Sequence, residues 1–342
     1  MSMTPSQGAA AVSATAGQAA DGARRPAGGG TSGGPTSGSG TPARKRPRRF
    51  HFTPYLLITP AVAALLLALA YPVGWQFATS LKEYGLKQQF GQPAEFVGLD
   101  NYVTIITTNA TWMVLVRSVL FCLINAFLTV AIGTALATLM SAVPKGPRLV
   151  LQIALLLAWA MPVVAVMTVW NWLFDWFHGT INWALVEAGA DGFWHHQWLA
   201  KPLSFYLVAT IIIVWMSVPF VAFSIYAGLT QISGEVLEAA QIDGAGWWRR
   251  FTGIVMPMVR PVLAIVTLLQ IIWDLRVFSQ IRMLQDRGGL PSETDLLGTY
   301  IYREGVGSSH FGMAAAMSVF VLLITVIASS PYVRSLLKED QA

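Results

Sequence analysis

EAAQIDGAGWWRRFTGIVMP, residues Glu238–Pro257, lies between two apolar runs, each long enough to cross a bilayer. Glu238, Ala239 and Ala240 favour helix. Ser233 or Gly234 is placed to cap that helix, and Glu235 and Glu238 fall in its first turn, where negative charge is favourable. Gly244 and Gly246 interrupt the pattern and permit a sharp turn. A second helix is expected next, with Trp248, Phe251 and Val255 on one side and Pro257 and Pro261 ending the segment. The product is a rigid knob with a small-residue turn that another protein surface can approach closely. Spacing alone does not separate this knob from an ordinary amphipathic surface helix.

The composition sets the environment. Of 342 residues 54% are hydrophobic and 11% charged, with a net charge of +5 and a mean hydropathy of +0.55. Soluble domains carry about 25% charged residues, so this deficit fits a chain whose surface faces lipid. The single cysteine, Cys122, excludes an internal disulfide framework and sits in an apolar run, away from any His or Asp that would make it a nucleophile. No Cys/His cluster suggests a metal; His195 and His196 are neighbours in a polar loop and read as solvated. Residues 1–49 are rich in Gly, Ala, Ser, Thr and Pro and end in the basic run Ala43–Arg49, ARKRPRR. Such a tail cannot offset its chain entropy by burial and is expected to be disordered. Directly ahead of an apolar helix, its basic cluster reads as a membrane-surface anchor and topology signal rather than a nucleic-acid patch.

Hydropathy predicts an all-α membrane protein with six transmembrane helices, at about Tyr55–Leu81, Met113–Ala142, Leu149–Phe174, Leu203–Thr230, Val262–Leu284 and Phe311–Leu336. Prolines 72, 162 and 219 fall in or near these runs and are expected as kinks. The tail, the loop around Lys145 and Arg148, the Glu238 loop and the C-terminus hold about 14 Lys and Arg against 6 Asp and Glu; the rest holds about 8 against 11. The positive-inside rule puts the first set, and both termini, in the cytoplasm. Trp176, Trp183, Trp194 and Trp198 in the loop after the third run read most simply as an interfacial belt, with sugar stacking as the lesser reading.

The Glu238–Pro257 stretch resembles the cytoplasmic loop of importer-type ABC permeases, the EAA loop. Glu238, Ala239, Ala240, Asp243, Gly244, Ala245, Phe251, Ile254 and Pro257 match; Met256 stands where the family usually has Leu. The resemblance implies the type I ABC importer permease fold over residues 50–342, with a coupling loop at 233–261. It implies contact with an ATP-hydrolysing subunit through Glu238, Ala239, Ala240, Asp243 and Gly244. A second likeness narrows the class. QDRGGLPSETDLLGTYIYREGV (Gln285–Val306) and FGMAAAMSV (Phe311–Val319) resemble sugar-type permeases of the maltose first-permease branch. Gly288, Gly289, Pro291, Thr294, Tyr300, Ile301, Tyr302, Gly312, Ala314, Ala315 and Ala316 fit, with Leu290 inserted into Gly-Gly-Pro. FVGLDNY (Phe96–Tyr102) resembles the element after the first span.

On the fifth run Gln270, Trp273, Asp274 and Val277 fall at i, i+3, i+4 and i+7, one helix face. An acidic residue at membrane depth usually faces a cavity or a partner. Asp274 can accept from sugar hydroxyls, Gln270 can donate and accept, and Trp273 can stack on sugar C–H groups. The competing reading pairs Asp274 with Arg276 or Arg282 or with a partner permease. Likeness to maltose-type relatives implies a substrate-binding set of Ser217, Phe220, Gln270, Trp273, Asp274 and Val277. The chain carries no G-x-x-x-x-G-K-[ST] loop, so it is expected to be no enzyme and to bind no cofactor itself, ATP and Mg being used by a partner ATPase. The expectation is a multi-pass permease of the bacterial cell membrane that imports a di- or oligosaccharide. It would work with a second homologous permease, ATPase subunits and an extracytoplasmic sugar-binding protein, and with no nucleic acid. The alternatives are a permease for another solute, such as glycerol phosphate or a polyamine, and an ion-coupled secondary transporter; no internal repeat supports the latter.

Overall fold

The first span begins a helical chain path that a computed structural model describes over residues 53–339. The tail at 1–49, with its basic run, lies outside the described residues. From Ile58 onward the described chain forms one unit. Helix α1 (Thr53–Leu65) passes through a π turn at Leu66–Ala70 into α2 (Tyr71–Ser80). A two-stranded antiparallel hairpin, β1 (Lys82–Glu83) and β2 (Glu95–Phe96), pairs Lys82 with Phe96 and encloses the short α3 (Leu86–Gln89). The chain then runs through α4 (Asp100–Thr107), α5 (Asn109–Ala142), α6 (Lys145–Ala160), α7 (Val163–Leu173), α8 (Thr180–Glu187) and α9 (Pro202–Leu229). Beyond it come α10 (Gly234–Ile242), α11 (Trp247–Arg250), α12 (Met256–Leu275), α13 (Ser279–Gln285), α14 (Pro291–Thr294), α15 (Leu297–Tyr302) and α16 (Phe311–Glu339).

Among the described residues four helical stretches are long and apolar enough to cross a membrane: Leu56–Ser80, Asn109–Ala142, Pro202–Leu229 and Trp247–Gln285. The pair α6–α7, bent by 100°, is long and apolar enough only when taken together, and α16 carries a shorter apolar stretch, Phe311–Ile327. The expected kink at Pro162 is therefore a break. The α region is disfavoured for a residue ahead of proline, and Met161 is extended at φ −70°, ψ 131°. Pro219, by contrast, stays inside a continuous α9. Two further expectations fail. Pro257 and Pro261 do not end the loop segment: the helix runs on through them into the fifth span, after a π turn at Phe251–Val255. Proline removes a backbone donor, and the widened turn passes ahead of that gap, as the Leu66–Ala70 turn does ahead of Pro72. The fifth span itself breaks between Leu275 and Ser279, so Val277 is not on a helix face with Gln270, Trp273 and Asp274.

The core is built around α5 and α9, which share the most extensive interface. Association of helices in lipid gains little from hydrophobic transfer and depends on close fit. Here Gly133 supplies it, since a Cβ at that position would lie 2.6 Å from Val221 Cγ1. Ala137, Val221, Ile225 and Val266 close one end of the bundle, and Phe121, Met167, Phe205, Ile212 and Ile281 fill the other. A third cluster, Ile105, Val114, Leu297, Tyr300, Ala316 and Met317, seats α15 and α16 against α4 and α5. Gly133→Leu is expected to force α5 from α9 at a cost of about 1–3 kcal/mol. The check is the thermal midpoint of the detergent-purified protein, which should fall; an unchanged midpoint would contradict this packing.

Candidate functional site

The sequence around Gly244 builds a helix end of defined geometry. Helix α10 starts after Ser233, as the capping pattern predicted, although no Ser233 side-chain hydrogen bond forms there. At its other end Gly244 takes φ +77°. The Gly244 N–H donates to the Gln241 carbonyl (3.1 Å), and the Ala245 N–H donates to the Ala240 carbonyl (3.0 Å). These two bonds, with a left-handed residue just beyond Asp243, are the Schellman arrangement. They explain why Gly falls four residues after Ala240: any L side chain at that φ is strained. Nothing lies within 4 Å of a Cβ placed on Gly244, so its lack of a side chain leaves open space. Arg250 Nη1 donates to Gln241 Oε1 at 3.1 Å and ties α11 back to α10.

The resulting knob is exposed. Glu238, Ala239, Asp243 and Gly244 are all solvent-accessible, and Ala240 is half-buried. Ile242 is 86% exposed and Trp248 66%, and Trp247 stacks on Phe251 at 5.4 Å rather than entering the core. Among the described residues the Glu238 carboxylate makes no ion pair. The turn thus presents Ile242, Trp248 and an unpaired carboxylate to solvent.

The second locus is a cavity of about 430 Å³ between the two broken spans. Met161 and Val163 reach it from the break of α6–α7, and Arg276, Val277 and Phe278 from the break after α12; Met216 and Ser217 of α9 complete the wall. Helix ends leave carbonyls and N–H groups without helical partners, and these ends meet beside the cavity. Asp274 and Trp273 also line it. Asp274 is buried and its Oδ1 accepts from Gln270 Nε2 at 2.9 Å. Asp274 Oδ2 and Gln270 Oε1 are buried without a hydrogen-bond partner. Trp273 is 45% exposed and packs against Phe220 (5.0 Å), which stacks in turn on Trp159 (6.4 Å).

Of the six residues expected at a substrate site, Ser217, Trp273, Asp274 and Val277 thus share one cavity. Gln270 stands behind Asp274 and Phe220 behind Trp273. The pairing of Asp274 with Arg282 does not form; Arg282 bridges Asp286 at 2.8 Å. Arg276 lines the cavity, is exposed, and among the described residues its side chain has no hydrogen bond or ion pair. Sequence reading missed Met161 and Trp159 in this wall. The Met161–Pro162 dipeptide inside an apolar run was the available signal for the first; nothing local marked the second.

The Gln285–Val306 stretch is a structural clamp. Gln285 Nε2 donates to Asp295 Oδ1 (3.0 Å) and Thr294 Oγ1 (3.2 Å), and Arg303 Nε reaches Asp295 Oδ2 at 2.7 Å. Gly289 meets the Phe205 ring so closely that a Cβ would lie 2.5 Å from it. Tyr300 and Ala314, Ala315 and Ala316 are buried. Cys122 is buried too, its Sγ 3.4 Å from the Ile271 carbonyl.

Comparison with known proteins agrees with this architecture. Residues 129–333 match the family described as binding-protein-dependent transport system inner membrane component. The diacetylchitobiose uptake system permease protein DasB of Streptomyces coelicolor is 40% identical, over 93% of this chain and 94% of that protein. The trehalose/maltose transport system permease protein MalF of Thermococcus litoralis is 31% identical, over 79% and 90%. A subunit of a bacterial alginate ABC transporter, crystallised with a pentasaccharide-bound periplasmic protein, shares the fold with a TM-score of 0.69 at 22% identity, covering 81% of this chain and 91% of that one. With its apolar spans, its Schellman-capped loop and these matches, the chain belongs to the family of inner membrane components of binding-protein-dependent transport systems, as a multi-pass permease subunit.

Proposed function

We propose that this chain is one of two permeases in an ATP-driven importer of a di- or oligosaccharide, with the Glu238–Gly244 knob as its coupling element. The observation that carries the proposal is that knob: an exposed turn that caps α10 in left-handed geometry and leads directly into the helix, from Trp247 onward, that is continuous with the fifth span. Motion imposed on α10 passes through α11 and the π turn into α12, whose far end forms the cavity wall. ATPase subunits would bind the knob, a second permease would complete the pathway, and a solute-binding protein would deliver the sugar at the opposite end. The positive charge distribution supports placing the knob and both termini in the cytoplasm. Alternating access then follows from rigid-body movement of spans around the cavity. The chain's own residues bind and move solute; ATP and Mg act on the ATPase.

The cavity supports a hydroxyl-rich solute. Trp273 offers an aromatic face, Ser217 a hydroxyl, and Asp274 a carboxylate with an unpartnered Oδ2, held from behind by Gln270. Uptake of diacetylchitobiose and of trehalose or maltose by proteins 40% and 31% identical supports the sugar class. One observation favours a second reading, an acidic sugar or other anionic solute: the unpaired guanidinium of Arg276 on the same wall.

Affinity purification of the tagged chain from its native membranes is expected to recover an ATPase and a second permease. Recovery of the chain alone, with uptake persisting after ATP depletion, would refute the importer. Gly244→Trp is expected to leave insertion unchanged and reduce uptake to background; normal uptake would remove the knob from coupling. Asp274→Asn removes an acceptor from a buried site, a loss of about 1–3 kcal/mol, and should weaken apparent sugar affinity roughly five- to a hundredfold in transport assays. Unchanged affinity would take Asp274 out of the site.

A further inference from the structure

Between α7 and α9 the chain forms a loop at the end of the bundle away from the knob, since α9 runs from this loop toward α10. Its frame is fixed by polar contacts, part-buried at Asn182 and exposed at Asp175. Asn182 Nδ2 donates to the Trp176 carbonyl (3.3 Å) and the His196 carbonyl (3.0 Å), and its Oδ1 accepts from Trp198 Nε1 at 2.6 Å. Asp175 Oδ1 accepts from the His178 N–H (2.8 Å) and the Phe177 N–H (3.0 Å); the His178 N–H, foremost, holds this carboxyl below the usual carboxylate range. Trp198 is anchored in turn on Phe174 and Phe193.

On this frame aromatic rings are turned outward. Trp176, Phe177, Trp183 and Trp194 are 48%, 55%, 61% and 68% exposed. His195 takes φ +56°, a left-handed conformation that few residues other than glycine adopt. That backbone sets its ring 4.8 Å from Phe177, 4.9 Å from Trp194 and 5.9 Å from Trp176. The rings surround a cavity of about 280 Å³ that His178, Thr180 and Asn182 also line. Among the described residues, no indole N–H of Trp176, Trp183 or Trp194 donates to a partner within the chain. No carboxylate, Lys or Arg lines the cavity.

We propose that this aromatic cavity is a second carbohydrate-binding site, on the face opposite the knob, that holds one neutral pyranose ring of the imported oligosaccharide. It rests on the sugar-importer reading above. The volume of about 280 Å³ falls just below the roughly 300–1,000 Å³ of small-molecule sites, enough for one ring and not for a chain. Aromatic faces take the C–H side of a pyranose, while indole N–H, imidazole and hydroxyl groups serve its hydroxyls. A wall without charged side chains suits a neutral ligand and offers no ion pair to a lipid phosphate. Tryptophans that only anchor a membrane interface need neither a shared cavity nor a backbone-strained imidazole between them.

The test uses the full chain in nanodiscs without a binding protein, and saturation-transfer NMR with N,N′-diacetylchitobiose, trehalose and maltose as probes. Wild type should give a saturable signal with at least one probe. The W183A/W194A double variant, whose two rings are exposed, should lower that signal at least fivefold with an unchanged melting curve, and Asp274→Asn should leave the ring-dependent part intact. An equal signal in the double variant, or no saturable signal with any probe, overturns the site and leaves the rings as interface anchors. Sugar uptake by cells carrying the whole importer is measured in parallel. Normal uptake without ring-dependent binding refutes this site alone, whereas absence of any sugar uptake refutes the importer reading itself.

Discussion

Backbone polar groups surrounded by hydrocarbon must find partners inside the protein, and this constraint arranges the molecule. Unbroken helices meet it by themselves, which is why α5 and α9 can form the central pair with little more than a glycine-mediated fit. Where a span breaks, the freed groups have to face protein or a polar cavity. The chain breaks two spans, at Met161–Pro162 and at Arg276–Phe278, and both breaks lie on the same cavity wall. Asp274 and Gln270 stand beside them with buried oxygen atoms unpartnered. The two breaks and this carboxylate thus share one cavity, while other buried polar groups, Asn125 and Thr129 among them, lie along α5.

The same constraint explains how that place is linked to the knob. Helix α12 runs without interruption through Pro257 and Pro261, because a π turn at Phe251–Val255 passes ahead of the missing donors. A helix that stopped at Pro257 would leave a hinge between knob and span. The helix instead continues from Trp247, just beyond the Gly244 turn, to the cavity wall. Gly244 works at the opposite extreme of backbone behaviour: its left-handed φ closes α10 within one turn, so Ile242 and the Glu238 carboxylate project from a fixed end.

Much of this was legible in the sequence. The knob followed from Glu238–Gly246 and the six apolar segments from hydropathy, because both signals are local: propensity, glycine placement and run length. Residues 285–306 resembled a family pattern, and the reasons for that pattern emerged only from packing, as with Gly289 under the Phe205 ring and Asp295 between Gln285 and Arg303. The breaks were harder. Pro162 was visible, but proline bends some spans and interrupts others, and Pro219 does not interrupt α9. The break after Leu275 has no proline or glycine to announce it, so Val277 was assigned to a helix face it does not occupy. Arg276 on the cavity wall was equally hidden, since its placement depends on that break.

Contact between the knob and an ATP-hydrolysing partner is the point on which the account turns. The direct measurement places a single cysteine at Ala245, in a Cys122→Ser background, and applies a short bifunctional crosslinker to the importer in native membranes. The account predicts a covalent product containing this chain and the ATPase, formed in amounts that change when ATP is added. A cysteine that stays freely reactive toward small reagents and forms no such product, in a chain that still transports, would contradict it.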